Sequence, residues 1–261
     1  MLQFRHASRA SQGKRTYQED ASAVWQRGAG NASREDGVAL VAVLADGMGG
    51  HAGGALASGT VCAAFLAALK TREGDVCERL KFALAEANSA IADAVVSNPQ
   101  LSGMGATLVS VAFAANGAEW VSVGDSPLYL IRRGEIARLN EDHSLAPMLD
   151  RLVAEGRLTA DQAKVDPRRH YLRAAVSGED LDLIDISRRP LMLEAGDVIV
   201  VASDGIHTLG DEAIARLVAQ NVSAGADAVA SALIEAVDGA ADALQDNTTV
   251  VVVAVDDAAT L

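Results

Sequence analysis

Cysteine is nearly absent: Cys62 and Cys77 are the only two in 261 residues, too few for a disulfide framework. Both lie among alanines and leucines in stretches that read as helix, which suits reduced core thiols and predicts a cytoplasmic protein. Positive charge is also scarce. Lys and Arg number 22 against 35 Asp and Glu, a formal net charge of −13, which repels nucleic-acid phosphates and anionic membrane surfaces, so neither is an expected partner. The longest apolar runs, such as 38–45, fall far short of a bilayer crossing, and residues 1–14 are polar and basic with no apolar centre, so a soluble chain is expected. Repeats, low-complexity tracts and Pro/Gly/Ser linkers are missing too, which predicts a single domain over 1–261, and a monomer for want of any separable interaction segment.

Half of the residues are apolar, enough for a substantial core. Short valine-rich runs at 38–45, 106–115, 120–123, 198–202 and 249–255, bounded by Gly, Asp or Asn, read as buried strands. Residues 128–132 and 135–139, joined across Arg133-Gly134, read as a hairpin. Strand following strand without a helix between them argues against a purely alternating parallel fold. Helical spacing appears at 55–71 and 75–97, where Val76, Leu80, Leu84, Ala87, Ile91 and Val95 share a face, and again from 211 to about 240. The pattern predicts a layered α+β sandwich. Residues 143–190 are the least regular, with short helical patterns at 145–155 and from Thr159, and read as an insertion over the core.

Apolar strands repeatedly end in an acid followed by a small residue: Ala45-Asp46-Gly47, Gly124-Asp125-Ser126 and Ser203-Asp204-Gly205, with Asp246-Asn247 just before a strand. A lone Asp-Gly after a strand is ordinarily a turn. Several at once place carboxylates on one rim, where they repel unless a cation lies between them. Oxygen ligands without a nearby Cys or His pair at metal-ligand spacing favour Mg²⁺ or Mn²⁺ over Zn²⁺ or copper. Carboxylates can bridge two such ions about 3.5 to 4 Å apart, the arrangement used in phosphoryl chemistry. Arg15, a few residues before the adjacent acids Glu19 and Asp20, has a planar fork that suits a phosphate monoester.

Other chemistries fit less well. Residues 47–52, Gly-Met-Gly-Gly-His-Ala, mimic a dinucleotide fingerprint after a strand, but Asp46 would face the pyrophosphate and no acid lies near residue 66. Asp180-Leu181-Asp182 follows a Ser-Gly-Glu turn, where an aspartyl nucleophile would follow a buried strand. Neither cysteine has an Arg six residues later, which excludes a cysteine-dependent phosphatase.

Together, Arg15-x-x-x-Glu19-Asp20, Asp46-Gly-Met-Gly-Gly-His51, Gly105-Ala-Thr107, Val123-Gly-Asp125-Ser126, Asp142-His143-Ser144, Ser203-Asp204-Gly205 and Asp246-Asn247-Thr248 resemble the type 2C metal-dependent (PPM) Ser/Thr protein phosphatases. Order and spacing match over about 10–255, and the compact length resembles the bacterial branch. The resemblance implies a four-layer αββα sandwich, two central antiparallel sheets flanked by helices, with a mobile flap at about 143–178. It implies that Asp46 bridges two Mn²⁺ or Mg²⁺ ions, that Asp204 and Asp246 complete one, and that the Gly47 carbonyl binds the other. Glu19 and Asp20 would lie in or near their coordination, and Asp125, helped by Asp204, would hold a third, weaker ion. Arg15 would grip the substrate phosphate while a metal-bridging water attacks phosphorus in line, with no phosphoenzyme. Substrates would be phosphoproteins made by an opposing Ser/Thr kinase. An inert relative that binds phosphoproteins as a regulator is the alternative. Met48 stands where some members carry a His proposed as general acid, which leaves His51 as a proton-donor candidate. Gln18, Ala55 and Pro127 replace a frequent Asn, Glu and Arg.

Overall fold

The computed structural model describes residues 2–27, 37–49 and 52–257. Two strands open the chain, β1 (Leu2–Ser11) and β2 (Asp20–Gln26), then β3 (Val38–Met48) and two long helices, α1 (Ala52–Thr71) and α2 (Val76–Ser97). A run of strands follows: β4 (Gly105–Ala106), β5 (Leu108–Ala114), β6 (Gly117–Val123), β7 (Leu128–Arg132) and β8 (Glu135–Arg138). After the short helices α3 (Ala146–Ala154) and α4 (Ala160–Lys164) come β9 (Asp185–Ile186), β10 (Val198–Ala202), α5 (Asp211–Asn221), α6 (Ala226–Gly239) and β11 (Thr248–Asp257).

These strands form two antiparallel sheets, one ordered β1-β11-β10-β7-β8 and one ordered β2-β3-β5-β6-β9 with β4 added to β3. The valine-rich strands explain why the sheets must stack. Successive side chains point to opposite faces, and β3 is apolar on both. Val41, Val43 and Ala45 pack under α1 and α2, while Leu40, Ala42 and Leu44 meet the other sheet. In β11, Val250, Val252 and Ala254 pack under α6, and Val251, Val253 and Val255 face β3 and β5. Each such fully buried valine or leucine contributes about 1.5–3 kcal/mol. Covering both faces of both sheets yields the predicted α-β-β-α layering.

Strand 198–202 and the two helical blocks lie where expected, with Asp75 capping α2 through Glu78 N. The 128–139 hairpin is present, and both turn residues, Arg133 at φ 54° and Gly134 at φ 82°, take the left-handed conformation a tight hairpin turn requires. One strand went unread and two expectations need correction. Residues 2–11 are a strand, unreadable because an edge strand with one buried side chain, Phe4, lacks apolar alternation. The run 106–115 is split at Thr107. Helix α1 is, over Gly53–Thr71, long and apolar enough to cross a membrane. It is packed instead on β2, β3 and α2 through Ala57, Val61, Phe65 and Leu69.

Candidate active site

Antiparallel pairing carries the strand-end acids to one rim. Asp20, at the start of β2, lies directly opposite Asp46 near the end of β3. Asp125 occupies the turn between β6 and β7, where the chain passes from one sheet to the other. Asp204 follows β10 and Asp246 precedes β11, so these two come from the second sheet. Around them lies a cavity of about 310 Å³ whose wall includes Arg15, Glu19, Asp46, Gly47, Asp125, Asp204 and Asp246. Asp20 sits just behind this wall, with Oδ2 accepting from Ser203 Oγ at 2.7 Å.

Close backbone approaches set the rim. Gly47 N–H donates to the Glu19 carbonyl at 3.1 Å, and a Cβ on Gly47 would lie 2.1 Å from the Gly54 carbonyl oxygen. A Cβ on Gly205 would meet the Asn247 carbonyl at 2.2 Å. Only glycine fits at either position. Thr107 ties the two sides together: its Oγ1 accepts from Asp46 N–H at 2.9 Å and lies 2.7 Å from Ser126 Oγ. His143 is buried, and its Nδ1 accepts from Gly124 N–H at 3.3 Å. Burial lowers its pKa, in keeping with a neutral acceptor that pins the Asp125 turn to the base of the 143–178 segment.

The carboxylates are crowded and partly dehydrated. Burial, then Asp20 and Asp204, push Asp46 well above the usual carboxylate range. Burial, then Asp204 and Asp142, push Asp125 up to about 7. Asp20 is raised to about 6, chiefly by burial, with Ser203 opposing. Asp204 is raised by burial and by Asp246. Among the described residues no three His, Cys, Asp or Glu side chains are already drawn up to hold an ion, as expected of like charges with no cation between them. The donor set nevertheless fits a hard divalent cation. Glu19 Oε1, Asp20 Oδ1 and Asp204 Oδ1 are buried acceptors with no hydrogen-bond partner, a costly arrangement that a cation relieves. Arg15 supplies positive charge in the present geometry, its Nη2 donating to Asp246 Oδ2.

Every one of the sequence-derived acids and Arg15 thus lies in or directly behind one cavity. His51 lies outside the described residues. Sequence reasoning assigned no role to Asn247, which is buried: its Oδ1 accepts from Glu19 N–H at 2.8 Å, and its Nδ2 donates to the Gln12 and Tyr17 carbonyls, both at 2.9 Å. It therefore holds the β1–β2 loop, with Arg15 and Glu19, against the start of β11. Its place beside Asp246 was the available signal. His170 and Leu172 also reach the cavity, and no local pattern marked them.

Comparison with known proteins gives a consistent picture. Residues 12–247 match the sequence model of the family described as Protein phosphatase 2C. The serine/threonine protein phosphatase PstP of Mycobacterium tuberculosis is 40% identical over 194 residues, covering 72% of this chain and 36% of that protein. The present chain thus spans little more than a third of that relative. A putative protein phosphatase 2C-type of Streptococcus pyogenes is 31% identical over 192 residues, 72% of this chain and 75% of that protein. Among solved structures, the catalytic domain of PstP in complex with two manganese ions aligns with a TM-score of 0.77 at 34% identity, over 98% of this chain and 100% of that one. The serine/threonine phosphatase of S. agalactiae aligns with a TM-score of 0.80 at 26% identity, over 97% and 99%.

Proposed function

The chain belongs to the protein phosphatase 2C family, and from that premise we propose that it is a Mn²⁺- or Mg²⁺-dependent phosphatase hydrolysing phosphoserine and phosphothreonine in proteins. The observation that carries this reading is one cavity in which Glu19, Asp46, Asp125, Asp204 and Asp246 face a single guanidinium, that of Arg15. An inert phosphoprotein-binding relative has no use for so many carboxylates whose pKa values are raised by burial and then by one another.

We assign Asp46, Asp204, Asp246 and the Gly47 carbonyl to two divalent ions: Asp46 would serve both, Asp204 and Asp246 one, and the Gly47 carbonyl the other. Asp125, with Asp204, would hold a third ion, and Glu19 and Asp20 would support the set through their unpartnered oxygens. Bound divalent ions supply a more acidic water and neutralise charge on the transferring phosphoryl oxygens. Arg15 now pairs with Asp246; with a cation beside that carboxylate, its fork would be presented to the phosphate. Thr107 and Asn247 keep Asp46 and the Arg15–Glu19 loop in register for this work. No protein nucleophile is needed, and Cys62 is unsuited to the role because burial pushes its thiol up to about 12.

Residues 143–178 act as a flap over the cavity within a single domain. The domain works as a monomer in the cytoplasm against an opposing Ser/Thr kinase, a reading supported by its two free thiols and its net charge of −13. The deciding experiment is hydrolysis of a phosphothreonine peptide by chelator-stripped protein, with Mn²⁺, Mg²⁺, Ca²⁺ or nothing added back, beside Asp204→Asn. Activity should return with Mn²⁺ or Mg²⁺ alone and be lost in the variant. Turnover that ignores metal, or none under any condition, would replace this reading with the binding protein.

A further inference from the structure

Hydrolysis of a phosphoserine or phosphothreonine ester expels an alkoxide, and such a leaving group needs a proton as the P–O bond breaks. The described residues of the cavity wall offer few sources. The acids are assigned to cations, the Arg15 guanidinium does not give up its proton, Met48 has none to give, and Thr107 Oγ1 is engaged by Asp46 N–H and Ser126. His170 remains, and imidazole is the side chain that both carries and releases a proton near neutral pH.

Its placement is built. On one side, Arg169 clamps Asp150 of α3 with hydrogen bonds of 2.7 and 3.0 Å, and Arg168 holds Asp166 at 3.0 and 2.8 Å. Tyr171 N–H donates to the Arg168 carbonyl at 2.9 Å, closing a turn around His170. On the other side, residues 171–173 pair with 143–145: Leu145 N–H donates to the Tyr171 carbonyl at 3.0 Å, and Arg173 N–H donates to the His143 carbonyl at 2.8 Å. His143 is in turn bonded to Gly124, next to Asp125. The backbone that carries His170 is thereby referenced to the catalytic rim. Its imidazole is exposed and enters the cavity wall from the open side, while Asp125 is buried and Asp46 half-buried. The peptide end of a phosphate ester has to occupy that open side.

Resting on the phosphatase reading, we propose that His170 is a catalytic residue, the proton donor to the departing seryl or threonyl oxygen. Water adds to phosphorus and releases a proton to solvent. The P–O(Ser/Thr) bond breaks with its electron pair on the side-chain oxygen, which takes the proton from the protonated His170 imidazole. Solvent then restores that proton, so the net change is phosphoester plus water to alcohol plus inorganic phosphate.

The test compares two leaving groups with Mn²⁺-loaded wild type, His170→Ala and His170→Gln. Nitrophenolate departs from p-nitrophenyl phosphate without needing a proton, whereas the threonine alkoxide does not. Both variants should lose roughly 10²-fold or more in kcat on a phosphothreonine peptide, within the range of general-acid contributions, and only a few-fold on p-nitrophenyl phosphate. Their Mn²⁺-induced rise in Tm should match wild type. Equal losses on both substrates, or no loss on either, would overturn the assignment. A wild type inert toward both substrates would instead defeat the phosphatase reading itself.

Discussion

Asp125 is a residue whose charge the fold accommodates poorly without a cation. It is buried, with Asp204 and Asp142 as its acidic neighbours, and stands at about 7 where an ordinary Asp stands at 3.8. A carboxyl raised on folding favours the native state below its unfolded pKa, and that contribution is lost as pH rises through the folded value. For metal-free protein the loss spans pH 3.8 to about 7. Asp125→Asn removes the penalty. The metal-free variant should therefore be more stable than wild type at pH 8, by no more than roughly 4 kcal/mol, and the advantage should vanish near pH 4. Mn²⁺ should shrink the difference, because the wild-type carboxylate then faces a cation. Thermal denaturation of both proteins at the two pH values, with chelator and with Mn²⁺, checks it; a variant no more stable than wild type at pH 8 without metal would refute a penalty from burial and crowding at Asp125.

At the scale of elements, the site depends on α1 starting very close to the β1–β2 loop. A Cβ on Gly54 would lie 2.3 Å from Glu19 Oε1 and 3.0 Å from the Gly47 carbonyl oxygen. Alanine is favoured over glycine in a helix by about 1 kcal/mol, and the nearest clash is with the end of a side chain that can turn away. Gly54→Ala should therefore fold with nearly unchanged Tm in chelator, yet displace the Glu19 carboxylate and lower Mn²⁺-dependent turnover by as much as roughly 10²-fold, the cost of about 1 Å of misplacement. Parallel melting curves and kcat measurements distinguish this from a general loss of stability. The same scale explains what could be read from sequence. Strands such as β10, buried on both faces, announce themselves as unbroken apolar runs, and each acid that ends one is legible as a carboxylate of the rim. Edge strands β1 and β2 lack that signature, and the break at Thr107 depends on a side chain bonded to Asp46 N–H across the sheet. His170 reaches the cavity through pairing of 171–173 with 143–145, a tertiary relation with no local pattern.

At the scale of the molecule, the cavity is a joint between the two sheets. Asp20 and Asp46 belong to one, Asp204 and Asp246 adjoin strands of the other, and direct links at the rim include Ser203 Oγ to Asp20 Oδ2, Glu19 N–H to Asn247 Oδ1, and Arg15 to Asp246. Away from the rim, β1 and β2 are joined by Ser8 Oγ with Ser22 Oγ at 2.9 Å and by Gln26 Nε2 donating to the Phe4 carbonyl at 3.2 Å, and apolar side chains such as Leu44, Phe113, Val201 and Val251 pack between the sheets. Ions at the proposed positions would bind carboxylates from both sheets at once and so act as a cross-link at the rim. Because a ligand that binds only the folded state stabilises it by about 2.7 kcal/mol at a hundredfold excess over Kd, and because local opening begins where contacts are fewest, the gain should be concentrated at this end. Amide exchange around Asp46–Gly47, Thr107, Ser203–Gly205 and Asn247–Thr249 should slow in both sheets together on adding Mn²⁺, while exchange at the far end, around Gly196–Asp197, should change little. Protection confined to one sheet would mean that the ions do not bridge the sandwich, and Asp46 would then have to be removed from the shared position assigned to it.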